Sequence, residues 1–270
     1  IKYIFDIRGL WFNEKLDAKL ISFFFFKILK KFEKRLYNNS DSIITLSHKS
    51  IKFIRTEFKI NQKKITYVSC FTDIKKFSNS STNIKNKLVF GYIGNVKLSY
   101  DFDKVLNFFE KFDMINKNWK LIFANNHLSE KERKEIFSNF SLKHKIIFQK
   151  TNFDSINKIY KRMNIGIYFL RKDFSKIASC PTKLGEMLSS GIPVITNSGI
   201  GDIKTYLNSK RKSGFLIDNI NSNNLAKINL YINNSKKYLK LKYNAKYIAM
   251  KYFDINKNIQ IYKDVYKKLI

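Results

Sequence analysis

The stretch Ser179–Asp202 reads SCPTKLGEMLSSGIPVITNSGIGD. It holds both prolines of the chain, Pro181 and Pro193, and four of its nine glycines. Pro181 suits the first turn of a helix, because its φ is already helical and its missing N–H is not needed there. Gly191 suits the place just past the helix end. Leu184, Met187 and Leu188 form the buried stripe between them, and Lys183, Glu186 and Ser190 share another face. Ile192–Thr196 then reads as a short buried strand, and SGIG (Ser198–Gly201) as a loop at its carboxyl end.

A helix N-terminus offers free N–H groups and positive potential, both suited to phosphate. Lys183 adds a full charge beside it. Glu186, a turn deeper, can accept hydrogen bonds from a ribose diol. The glycines of the following loop allow a ligand close to the backbone. These residues together make a nucleotide-diphosphate site. The bland alternative is a solvated Lys–Glu pair on a punctuated helix, worth a few tenths of a kcal/mol.

Outward from this stretch, apolar β-rich runs alternate with amphipathic ones. Strands are expected at Lys2–Ile7, Ser42–Leu46, Ile65–Ser69, Leu88–Ile93, Trp119–Ala124, Lys145–Phe148, Ile165–Phe169, Ile192–Thr196 and Gly214–Ile217. Helices are expected at Phe102–Phe112, Glu130–Phe140 and Ser155–Met163, with apolar residues three and four apart. Alternating β and α with continuously apolar strands implies parallel sheets covered on both faces. The polar run 75–87 has no periodicity and reads as a linker. It divides a short remnant of one α/β unit, 1–74, from a fuller unit, 88–234. Helices follow over 235–270 and are expected to pack back toward the first unit. The chain starts with Ile1 directly in a strand, which suggests a sequence truncated at its N-terminus.

Ligands of open parallel sheets bind at the carboxyl ends of strands. Asp6, Arg8, Ser47, Gly94, Asn95, Asn125, Leu170–Lys172 and Ser198–Asp202 are therefore the candidates. Asp6 and Arg8 either orient an acceptor or leaving phosphate, or form an ion pair that fixes their loop. Asp202 either holds the SGIG loop or caps the helix that follows.

The net charge is +31, but only seven of 52 basic residues are Arg. Nucleic-acid readers favour Arg, whose fork grips phosphate and guanine bidentately. The lysines are scattered, and with abundant Ile, Asn and Phe they suggest an A/T-rich genome. Nucleic acid is not an expected partner. Cys70 and Cys180 form no metal or disulfide pattern and fit a reducing compartment. No metal or cofactor is expected. LISFFFFKIL (Leu20–Leu29) is too short to span a bilayer. It is expected to cover the neighbouring sheet; a membrane-facing amphipathic helix is the alternative.

PTKLGEMLSSGIPVITNSGIGD closely resembles the donor-binding segment of family 4 glycosyltransferases with the GT-B fold. FDIRGLW (Phe5–Trp11), DSIITLS (Asp41–Ser47), ITYVSCFTDIKKF (Ile65–Phe77) and VFGYIGN (Val89–Asn95) resemble other pieces of that family in order. The resemblance implies two Rossmann-like domains facing across a cleft. It implies metal-independent transfer of a sugar, with retention, from a nucleotide-diphosphate donor to a glycan or lipid-linked acceptor. Cell-surface polysaccharide synthesis in the cytoplasm, at the inner face of the membrane, would be the setting. By position, Asp6 and Arg8 fall on the acceptor side, in the catalytic place. Glu186 falls at the ribose carboxylate, and Lys183, behind Pro181, at the diphosphate. Gly94, Asn95 and Lys97 match the phosphate-side glycine loop, and Gly199, Ile200, Gly201 and Asp202 the donor-sugar loop. Arg171 is a further source of charge. Ala178 stands where many relatives carry a second Glu. A nucleotide-sugar epimerase of similar fold and a basic polyanion-binding protein are the competing readings.

Overall fold

A computed structural model describes residues 1–77, 87–97, 99–152 and 154–269. Most of the run expected as a linker, residues 78–86, lies outside the described residues. Its first residues are not linker-like, because Ile74–Phe77 is a helical turn and Phe77 is buried against Tyr160.

Among the described residues, nine strands form two parallel sheets. The first holds β1 (Ile4–Ile7), β2 (Ser42–Thr45) and β3 (Ile65–Tyr67), in that spatial order. The second holds β4 (Leu88–Ile93), β5 (Trp119–Ala124), β6 (Ile146–Gln149), β7 (Ile165–Ile167), β8 (Val194–Thr196) and β9 (Gly214–Leu216). Its order is β6-β5-β4-β7-β8-β9, so the chain turns from one half of the sheet to the other beside β4. The crevice at such a reversal is where open α/β sheets take ligands.

The helices are α1 (Trp11–Asp17), α2 (Phe23–Asn39), α3 (His48–Phe58), α4 (Ile74–Phe77), α5 (Phe102–Asp113), α6 (Glu130–Ile136) and α7 (Ile156–Tyr160). After these come α8 (Thr182–Ser189), α9 (Ile203–Leu207), α10 (Ser222–Asn233), α11 (Ser235–Tyr252) and α12 (Ile255–Lys267). In α5 the apolar spacing puts Phe102, Val105, Phe109 and Phe112 on one buried face, with Phe108 beside them. Phe90 of β4 meets Phe108, Phe109, Phe112 and Trp119 at ring distances of 5.0–6.4 Å. Each such ring contributes about 1.5–3 kcal/mol by leaving water, which makes the β4 end of the large sheet a stiff platform.

The last helices join the two units. Helix α11 packs on α8, where the ring of Phe253 lies against Gly185. Helix α12 lies on the small sheet, with Val265 buried against Ile44 and Val68. The Thr72 N–H bonds the Phe253 carbonyl at 2.8 Å, fixing the crossover.

The residues before and in α2 depart from expectation. Phe23, Phe24, Phe25, Ile28 and Phe32 are exposed and do not cover the sheet. The helix instead buries Glu33 and Tyr37, whose hydroxyl donates to Glu33 Oε1 at 2.8 Å, with Lys30 on Glu33 Oε2. A buried carboxylate is retained only with such partners, and meeting them turns the phenylalanine face outward.

Candidate active site

The segment 179–202 forms the expected helix and strand. Pro181 takes the N-cap place of α8, and Leu184, Met187 and Leu188 are buried. Two cavities meet at its start. One, of about 320 Å³, lies at the carboxyl ends of β4 and β5 and is lined by Gly94, Asn95, Tyr100, Asn125, Asn152 and Lys183 among others. The other, of about 510 Å³, runs between the carboxyl ends of the two sheets. Arg8, Leu46 and Cys70 line it from the small sheet, and Leu170, Cys180, Pro181 and Lys183 from the large one. Lys183 and Tyr100 belong to both.

Tyr100 is positioned by backbone pairing. The Arg171 N–H bonds the Ser99 carbonyl at 2.9 Å, and the Asp101 N–H bonds the Phe169 carbonyl at 3.0 Å. The loops after β4 and β7 are thereby zipped together over the crevice. Asn125 ties the next loop in: its amide donates to the Gly94 carbonyl at 2.7 Å, and its oxygen accepts from the His127 and Leu128 N–H groups.

Glu186 is buried, and its carboxylate is already engaged. Tyr160 donates its hydroxyl to Oε2 at 2.6 Å, and Lys183 Nζ lies 3.1 Å from the same oxygen. Burial first, then the carboxylate, pushes the Tyr160 phenol well above its ordinary value, so it stays a donor. Glu186 is therefore neither a solvated partner of Lys183 nor a cavity wall: it stands behind Lys183. Tyr160 is the residue that sequence reading missed. The signal was present, because Tyr160 falls on the buried stripe of α7 with Ile156 and Ile159, and a buried phenol needs a partner.

The SGIG loop is held differently from expectation. Asp202 takes the N-cap place of α9 through its backbone carbonyl, but its side chain neither holds the loop nor caps the helix. Its Oδ2 accepts the His48 N–H at 2.7 Å and faces the His48 ring nitrogen at 2.9 Å. Asp202 thus serves the start of α3, across the junction of the two units, where a carboxylate is favoured by the free N–H groups and the helix dipole. Asp218 holds the loop, accepting from the Ser198 N–H and hydroxyl at 3.1 and 2.7 Å. Ile200 and Gly201 are buried under the turn at 176–179, where the Gly201 N–H bonds the Lys176 carbonyl at 2.8 Å. Gly199 faces open space.

Asp6 and Arg8 form an ion pair at 3.1 Å, bridged by the Tyr262 hydroxyl of α12. Burial and the Asp6 carboxylate push that phenol up to about 12. Arg8 reaches the larger cavity, whereas Asp6 lines a separate pocket of about 330 Å³ beside Trp11 and Tyr37. Lys97 is drawn to Glu132 of α6 at 2.8 Å, and Arg171 is exposed; neither lines the two cavities. Cys70 and Cys180 meet in the larger cavity. The contact from Cys180 and the charge of Arg8 lower the Cys70 thiol, against its burial. Among the described residues no three His, Cys, Asp or Glu side chains converge to hold a metal.

No curated protein sequence matches the chain. Similar solved structures are TarM of S. aureus, a mutant of which was solved with fondaparinux, alpha-GlcNAc-glycerol and UDP, HepE of Anabaena, solved with UDP-glucose, and the sucrose-phosphate synthase of Thermosynechococcus elongatus. Identities are 14%, 14% and 15%, with TM-scores of 0.69, 0.71 and 0.75. The matches cover 87%, 99% and 100% of this chain and 46%, 72% and 68% of theirs. The chain therefore spans under half the length of TarM. At these identities the likeness establishes the architecture, two parallel α/β units facing across a cleft, as that of the GT-B glycosyltransferases. The model of the family described as glycosyl transferases group 1 matches residues 73–247, well over half the chain. With β4 to β9 and α8 inside that match, the chain belongs to the glycosyl transferases group 1 family.

Proposed function

We propose that the chain moves a sugar from a nucleotide-diphosphate donor to a glycan or lipid-linked acceptor, with retention at the anomeric carbon. The observation that carries the reading is the place of Lys183. It stands at the start of α8 and on the wall shared by the two cavities. The smaller cavity, rich in Asn and backbone groups, takes the nucleoside. The diphosphate lies against Lys183 and the opening N–H groups of α8, which need no metal to offset the growing charge on the leaving group. The larger cavity takes the sugar and the acceptor, with Arg8 on its far wall.

Glu186 accepts the ribose diol once Lys183 swings from its carboxylate to the phosphates. Tyr160 keeps one lone pair occupied and fixes the rotamer, so the carboxylate is aimed before the donor arrives. Holding a polar group in place beforehand lowers the cost of ordering it on binding. The uridine nucleotides bound by TarM and HepE support a UDP-linked donor. Membership of family 4, and a role in cell-surface polysaccharide synthesis at the inner face of the membrane, fit this chemistry.

A thermal-shift screen with UDP-, GDP- and ADP-sugars tests the reading. The protein melts higher with one of the three, and Glu186→Ala removes the rise. If no nucleotide sugar raises the melting temperature, the donor site is wrong. If the sugar nucleotide is altered without an acceptor, the enzyme is an epimerase.

A further inference from the structure

The larger cavity holds a buried cation to which the donor reading gives no task. Lys176 lines it and, at 5% exposure, is the most buried lysine among the described residues. An ammonium has three N–H donors and no acceptor. Its only partner among the described residues is Glu14 Oε1, at a long 3.5 Å. Less buried lysines of this fold are better served. Lys30 bonds Asn13 Oδ1 at 3.2 Å and Glu33 as well. Lys145 bonds Asp113 and, at 2.8 Å, the Lys117 carbonyl. Lys176 gives up more contact with water than either and gains less, and an incompletely paired buried charge is costly.

The turn that carries Lys176, Phe174–Ala178, is held from both units. Asp17 accepts the Ser175 N–H at 2.9 Å, and the Ser47 hydroxyl donates to the Ile177 carbonyl at 2.6 Å. The Lys176 carbonyl accepts the Ser179 and Gly201 N–H groups at 3.1 and 2.8 Å. The backbone of Lys176 is thus fixed before a ligand arrives, which lowers the cost of ordering the site on binding. The charge on this wall is one-sided. The residues that the large unit lends to the cavity include two lysines, Lys176 and Lys183, and no carboxylate. Arg8, from the small unit, is already paired with Asp6. With Lys183 on the diphosphate, Lys176 is the cation beside the space for the sugar. A neutral sugar offers it only hydroxyls. A carboxylate offers a full charge and two oxygens, and charge-assisted bonds are roughly twice as strong as neutral ones.

We propose that the transferred sugar carries a carboxylate, as a hexuronic acid does, and that Lys176 selects it. The proposal rests on the donor reading above, because the sugar hangs from a diphosphate held by Lys183. The carboxylate takes the donors that Glu14 leaves open. Glu14 is 39% exposed, so water screens its charge from the incoming anion. Ala178, on the same turn, adds no carboxylate to repel it.

Calorimetric titration of UDP, UDP-glucose and UDP-glucuronic acid into the unaltered chain and into Lys176→Met tests it. The unaltered chain binds UDP-glucuronic acid at least about tenfold more tightly than UDP-glucose, as one charge-assisted bond provides. In Lys176→Met the two bind within about threefold of each other. Met fills the place of the lysine stem and leaves Glu14 to water, and an unchanged Kd for UDP shows that the variant folds. If UDP binds but the two sugar nucleotides bind the unaltered chain equally, Lys176 only joins the units or serves the acceptor, and the proposal fails while the donor site stands. If the preference survives in Lys176→Met, another group selects the carboxylate and the assignment fails. If UDP itself does not bind, the donor reading is at fault and the proposal falls with it.

Discussion

Gly201→Ala should uncouple the SGIG loop from the turn beneath it. A Cβ at this position lies 2.1 Å from the Ser179 carbonyl oxygen and 3.4 Å from the Ser47 side chain. The obstacle is backbone, so no rotamer relieves it. The residue also sits at φ +34, where a side chain costs about 1–2 kcal/mol. Overpacking adds about 1–3 kcal/mol. The expected loss is therefore about 2–5 kcal/mol, or about 5–15 °C in melting temperature. Gly199→Ala is the contrast. Its φ is +90, but a Cβ meets nothing within 4 Å, so only backbone strain of about 1–2 kcal/mol remains. Thermal unfolding of the two variants side by side gives the comparison. If Gly201→Ala melts within a degree of the unaltered chain, or below Gly199→Ala by no margin, the contact with Ser179 does not hold the loop and the reasoning fails.

Tyr160→Phe removes the donor on Glu186 and should cost about 1.5–3 kcal/mol in urea unfolding; a neutral result would mean that the carboxylate finds another partner. Glu132 has its carboxyl held down to about 2 by the Lys97 ammonium first and then by the Ser129 backbone and hydroxyl. A depressed carboxyl stabilises above its ordinary range and loses that contribution as pH falls through the folded value. The acid limb of stability between about pH 4.5 and 2 should therefore flatten slightly in Glu132→Gln, as read from urea midpoints. Iodoacetamide should alkylate Cys70 before Cys180, because the Cys70 thiol is lowered while contact with Cys70 and burial push the Cys180 thiol well up; peptide mapping that finds Cys180 labelled first contradicts the assignment.

Much of the fold was legible because parallel strands here are short, fully buried and rich in Ile, Phe and Val. All nine runs contain a strand. Their ends were read one or two residues too long where local chemistry intervenes: β8 starts at Val194, after Pro193, which has no N–H to give the ladder. Helix α6 ends at Ile136, ahead of Phe140, as the Ser138 hydroxyl bonds back to the Glu135 carbonyl and competes with the helix. The donor helix was legible because Pro, Lys, Glu and Gly carry local meaning at their spacing. Asp202 was not, since its partner His48 is 154 residues away. The same holds for Lys97, whose charge is claimed by Glu132, and for α2, where the demands of a buried Glu33 outweigh the pull of four consecutive phenylalanines.

The proposed function rests on Lys183 gripping a nucleotide diphosphate at the start of α8. Calorimetric titration of UDP into the unaltered chain and into Lys183→Ala tests it most directly. A charge-assisted bond to phosphate contributes about 1.5–3 kcal/mol, so Kd should rise roughly 10- to 150-fold in the variant, with uridine affinity unchanged. Equal Kd values for UDP in the two proteins would contradict the account.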